Sequence, residues 1–107
     1  MNYSEISQYL KVMADSSRLE ILDLLSCGEL CACDLLEHFS FSQPTLSHHM
    51  KVLKDNNLIT SRKDGNKILY KLNHDVLDNV TSRLTLLSSC TVPCICETVE
   101  KGYLLYT

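Results

Sequence analysis

The sequence predicts a mainly α-helical fold carrying one small β-hairpin. Three observations point there. Apolar residues return every three or four positions over most of the chain, two short helical segments meet at a tight turn, and an Asp-Gly turn separates two strand-like runs rich in lysine. At 107 residues, 45% hydrophobic and 21% charged, with three glycines and two prolines, the chain has the composition of one globular domain near the lower size limit for a self-sufficient core. The expected organisation is a single domain over 1–107 whose last stretch, about 90–107, is a cysteine-containing tail.

Taken in order, Ile6, Tyr9, Leu10 and Met13 recur at helical spacing behind Ser4, an N-cap residue type, so the first helix should end near Ala14. Asp15-Ser16-Ser17 offers new caps, with Ser17 and Glu20 spaced as a capping box. Behind them Leu19, Ile21, Leu22, Leu24 and Leu25 predict a buried second helix stopped around Gly28. A short helix is expected from about Cys31 to His38. Another starts around Ser42-Gln43-Pro44, where a first-turn proline costs only a hydrogen that would be orphaned anyway. Its buried stripe is Leu46, Met50 and Leu53, and Asn56-Asn57 ends it. Residues 58–63 and 67–72 flank Asp64-Gly65-Asn66 as a hairpin. Asn73 should cap a last helix, ended by Pro93, in which Leu77, Val80, Leu84 and Leu87 form a seam for a partner helix. There is no internal repeat or linker.

Charge is unevenly spread. Between Lys51 and Lys71 six basic residues stand against two acidic ones, a net +4, whereas the remainder carries four basic and eleven acidic residues, so that the whole chain is at −3. A basic stripe on an acidic body is what binding to double-stranded DNA requires, although a solvated charged face has the same composition. No apolar run approaches the roughly 18 residues that span a bilayer, and Met1 to Leu10 lacks the pattern of a signal peptide, so a cytoplasmic protein is expected. In that reducing compartment clustered thiols act as ligands or redox sensors more often than as staples.

Two short helices, a basic hairpin and outer helices at both ends make a winged helix-turn-helix domain. The polar side chains Ser42, Gln43, Thr45, Ser47, His48, His49 and Lys51 would read DNA from the second short helix, with Gln43 the candidate for adenine. Arg62, Lys63 and Lys67 on the hairpin would meet phosphates. Of His48 and His49, one is expected to pack on the scaffold and neither to bind metal.

The strings Glu29-Leu30-Cys31-Ala32-Cys33-Asp34-Leu35, Ser42 to Met50 and Arg62-Lys63-Asp64-Gly65 resemble the ArsR/SmtB family of metal-sensing repressors, closest to its arsenic-responsive branch, over nearly the whole chain. The resemblance implies a homodimer packed through its first and last helices, the Gln43 to Asp55 helix in the major groove, and release of DNA on ligand binding. It implies arsenite or antimonite as the inducer, with Cys31 and Cys33 as ligands. Leu36 stands where the family's third cysteine often does. The histidine-rich zinc site of the family's other branch has no match beyond His74, Asp75 and Asp78.

The six cysteines form two clusters, Cys27, Cys31 and Cys33 and then Cys90, Cys94 and Cys96, and soft thiolates select thiophilic ions. Cys27, at an apolar helix end, reads as a buried residue. If Cys31 and Cys33 both lie inside a helix, their side chains point about 200° apart, and holding one small ion should distort the helix start and move the adjoining DNA-reading helix. Cys90, Cys94 and Cys96 either supply a third thiolate or hold a separate ion. A redox sensor of the same fold, or a sensor of cadmium, lead or bismuth, is the alternative. Catalysis is not expected: there is no Cys-x-x-Cys, and the residues six after Cys27 and Cys90 are cysteines, not the arginine of a phosphate loop. A metallochaperone would leave the basic hairpin unexplained.

Overall fold

A computed structural model describes residues 1–40 and 42–89. Among the described residues, five helices and three strands follow in the order α1 (Tyr3–Met13), α2 (Ser16–Leu25), β1 (Leu30–Cys31), α3 (Ala32–His38), α4 (Gln43–Asp55), β2 (Ile59–Asp64), β3 (Lys67–Leu72) and α5 (His74–Leu87). The strands form one antiparallel sheet in the order β1-β3-β2. The fold is thus the expected helical one, with a third strand added to the hairpin. No described helix is long and apolar enough to cross a membrane.

Local chemistry sets each start. The cap of α1 is Asn2, not Ser4. Its side-chain oxygen accepts from the Glu5 amide at 2.8 Å while the Glu5 carboxylate accepts from the Asn2 amide at 3.5 Å, a reciprocal box that Ser4 cannot make from inside the first turn. Likewise the cap of α2 is Asp15 in extended conformation, accepting from the Arg18 amide at 3.0 Å, and the expected Ser17–Glu20 box is not formed because Ser17 already lies within the helix. On α2 the buried residues are Ile21, Leu22 and Leu25, while Leu19, two positions before Ile21 and so on the opposite side, is 50% exposed.

The Arg18 amide holds the Asp15 carboxyl below its ordinary value, with Arg18 and His49 charges adding to the effect. A depressed carboxylate stabilises the fold above the unfolded value of about 4, and that contribution is lost as pH falls through the lower folded value. Asp15→Ala is therefore expected to cost about 1 kcal/mol at neutral pH. Urea unfolding should show the gap from wild type closing below about pH 4; a gap independent of pH would contradict the cap.

The core collects Val12, Ile21, Leu22, Leu25, Leu35, Leu46, Met50, Leu53, Leu58, Ile59 and Leu72. Three of these come from α4, at the spacing of one helical face, so the opposite face of α4 is left to solvent. Gly65, with φ of 63°, takes the first place of the two-residue turn between Asp64 and Lys67, a conformation that suits glycine. Asn73 sits at the cap position of α5, but its side chain donates to the Asn57 carbonyl at 3.0 Å instead of capping the helix. That helix ends at Leu87, earlier than the stop expected at Pro93, and packs back on α1, where the Arg83 guanidinium lies 5.7 Å from the Tyr3 ring centre. Along the expected seam Val80 is fully buried and Leu77 and Leu84 are half-buried, while Leu87 is 76% exposed.

Candidate DNA-reading surface and thiolate pair

The α4 helix begins at a serine cap. Ser42 Oγ accepts from the Thr45 amide at 3.4 Å, and Pro44 falls in the first turn, where no hydrogen bond is lost. Leu46, Met50 and Leu53 fix the helix to the core, which leaves Ser42, Gln43, Thr45, Ser47, His48 and Lys51 exposed. His49 departs from this row. It is half-buried and its Nδ1 lies 3.3 Å from Nη1 of Arg18, whose Nε in turn donates to the Val12 carbonyl at 2.7 Å. One of the two histidines is thus turned to the scaffold, as expected. Lys51 pairs with Asp55 one turn on, at 2.8 Å, and that hydrogen bond raises the lysine above its ordinary value.

On the hairpin, Lys63 lies opposite Ile68 and Lys67 opposite Asp64, so strand alternation puts the two lysines on opposite faces. Arg62 is engaged within the chain. Its Nε and Nη2 donate to the two carboxylate oxygens of Glu29 at 2.8 and 2.9 Å, a bidentate pair that holds Glu29 below its ordinary value and raises Arg62.

Cys31 occupies a junction. It is the last residue of β1, opposite Leu69 of β3, and also the N-cap of α3 in extended conformation. Its sulfur accepts from the Asp34 amide at 3.3 Å, and the Asp34 carboxylate accepts from the Cys31 amide at 3.1 Å. This is a capping box with cysteine in the place of serine. Cys31 is buried and Cys33 exposed. The two are joined by a disulfide with their Cα atoms 5.3 Å apart. The expectation that they cannot meet without distorting the helix is therefore corrected: Cys31 lies outside the helix, where the extended cap turns its sulfur toward the first turn of α3.

Asp34 joins the site although the sequence pattern does not single it out; its place three after Cys31, the spacing of a capping box, is the signal for it. Among the described residues, Cys31, Cys33 and Asp34 form the one group of three or more such side chains that could hold a metal ion, with ligand atoms within 4.8 Å of one another. A pocket of about 240 Å³ runs from the pair to the hairpin turn, lined by Cys31, Ala32, Cys33, Asn66, Lys67 and Ile68. Cys27 is exposed, not buried as expected, because it lies beyond the last turn of α2. Leu36 packs against the core. Cys90, Cys94 and Cys96 lie outside the described residues.

Residues 15–61 match the family described as bacterial regulatory protein, arsR family. The chain is 63% identical over 102 residues to an arsenical resistance operon repressor of Staphylococcus aureus, covering 95% of this chain and 98% of that protein. It is 61% identical over the same shares to the arsenical resistance operon repressor of Staphylococcus xylosus. A crystal structure described as a possible transcriptional regulator for arsenical resistance superposes with a TM-score of 0.67 at 32% identity, over 73% of this chain and 81% of that one.

Proposed function

The chain belongs to the arsR family of bacterial regulatory proteins, and from that premise we propose that it represses an arsenical-resistance operon, releasing its operator when Cys31 and Cys33 capture arsenite or antimonite. It is a helix-turn-helix transcriptional repressor and not an enzyme. The proposed operator is a double-stranded inverted repeat bound by a homodimer, the exposed Leu86 and Leu87 near the end of α5 being one apolar surface for the partner.

The observation that carries this reading is the position of Cys31, which belongs at once to the helix-turn-helix and to the sheet of the hairpin. In a reducing cytoplasm the pair is a dithiol, and each thiol that binds displaces one arsenite oxygen, which leaves as water with the thiol proton. We assign the third thiolate to Cys90, Cys94 or Cys96, since Leu36 carries no thiol; Cys27, a free and exposed cysteine, is the source if replacing those three leaves three sulfur ligands. The disulfide favours a second reading, in which a peroxide takes two electrons and two protons from the pair and leaves as water. Titrating operator-bound, reduced protein with arsenite, antimonite, cadmium, lead, bismuth and peroxide separates the two. Release by arsenite or antimonite supports the proposal, and release by peroxide alone overturns it.

The DNA face yields its own test. Lys63→Ala is expected to weaken all sequences alike and lower the slope of log affinity against log salt by about one unit. Gln43→Ala should instead relax base preference at one position of each half-site, costing about 1–3 kcal/mol on the preferred base. Fluorescence anisotropy with matched and mismatched operators reads both. A Lys63→Ala variant that changes base preference and keeps the slope would contradict the hairpin's role.

A further inference from the structure

We propose that the Glu29–Arg62 ion pair is the positioning contact that passes ligand capture at Cys31 and Cys33 on to the DNA-contacting hairpin, an inference that rests on the reading of those thiols given above. In the ladder, Cys31 stands opposite Leu69 and Leu69 opposite Arg62, so the sensing cysteine and the arginine lie in one row across β1-β3-β2. Glu29, just before β1, lines one pocket with Leu69 and Arg62 of that row. Its carboxylate spans β3 and grips Arg62 on β2 with both oxygens.

The grip matters because β1 is only two residues long, paired through Leu30–Tyr70 and Cys31–Leu69. A ligand drawn onto the Cys31 sulfur competes with the bond that sulfur now accepts from the Asp34 amide, and so displaces the residue that ends β1. A two-residue ladder can slip without moving its neighbour. The planar guanidinium fork fixes distance and direction together, and ties the same segment to the far strand of the hairpin.

The test compares operator affinity with and without arsenite, by anisotropy on reduced protein, for wild type, Glu29→Gln and the exchanged pair E29R/R62E. Calorimetry confirms that each variant still takes up arsenite. In Glu29→Gln the ratio of the two operator affinities is expected to fall about two- to fivefold, the range open to an exposed ion pair. In the exchanged pair it should recover, even though a glutamate on the hairpin lowers both affinities. If the wild type releases and Glu29→Gln shows an unchanged ratio, this proposal is overturned alone. Tighter operator binding with a steeper salt slope at that unchanged ratio would mark Arg62 as a phosphate contact held back by Glu29. A wild type that does not respond to arsenite overturns the functional reading and this proposal together.

Discussion

Serine in place of Cys31 or Cys33 is expected to leave operator binding intact and to abolish release by arsenite. The Cys31 substitution is structurally mild, because serine is itself a preferred N-cap and its hydroxyl can accept the bond that the sulfur now takes from the Asp34 amide. Cys33 is exposed, so its replacement removes a thiol without opening a cavity. The wild-type ratio of operator affinities without and with arsenite should fall within the range of allosteric couplings, about 5–150-fold, and drop to near one in either variant. Anisotropy titration measures it. A serine variant that still releases its operator at the wild-type arsenite concentration would remove that cysteine from the site.

The largest effect on stability is expected at Leu35. It is the buried residue by which the seven-residue α3 is anchored, and it is fully enclosed. Truncation to alanine removes that anchor and leaves a cavity, costing about 2–5 kcal/mol. Against a total of about 5–15 kcal/mol for a small protein, this is a large fraction. Chemical denaturation should show a lower midpoint at constant protein concentration, since dimerisation would couple stability to concentration. A loss below about 1 kcal/mol would mean that α3 is held by something other than its core contact.

Much of this was legible in the sequence because it is local. Ser42, Pro44 and the Leu46, Met50, Leu53 stripe announce α4 by cap chemistry and periodicity, and its bounds follow the expected ones closely. The hairpin follows from an Asp-Gly between two strand-like runs. What escaped depends on contacts distant in sequence or on choices between near-equal caps. Strand β1 is too short to alternate and exists only because β3 lies beside it. Asn2 outcompetes Ser4 through a returning bond from Glu5. Glu29 and Arg62, 33 positions apart, carry no pattern that pairs them. The cysteine geometry belongs to the first kind: without β1, sequence spacing puts Cys31 inside the helix that it caps.

Arsenic-edge X-ray absorption on reduced, arsenite-loaded protein tests the thiolate site most directly. A sulfur environment around arsenic is expected in the wild type. Replacing Cys90, Cys94 and Cys96 together should remove one sulfur neighbour, and replacing Cys31 and Cys33 together should remove the pair. Unchanged sulfur coordination in the Cys31→Ser, Cys33→Ser double variant, or an oxygen-only environment in the wild type, would contradict it.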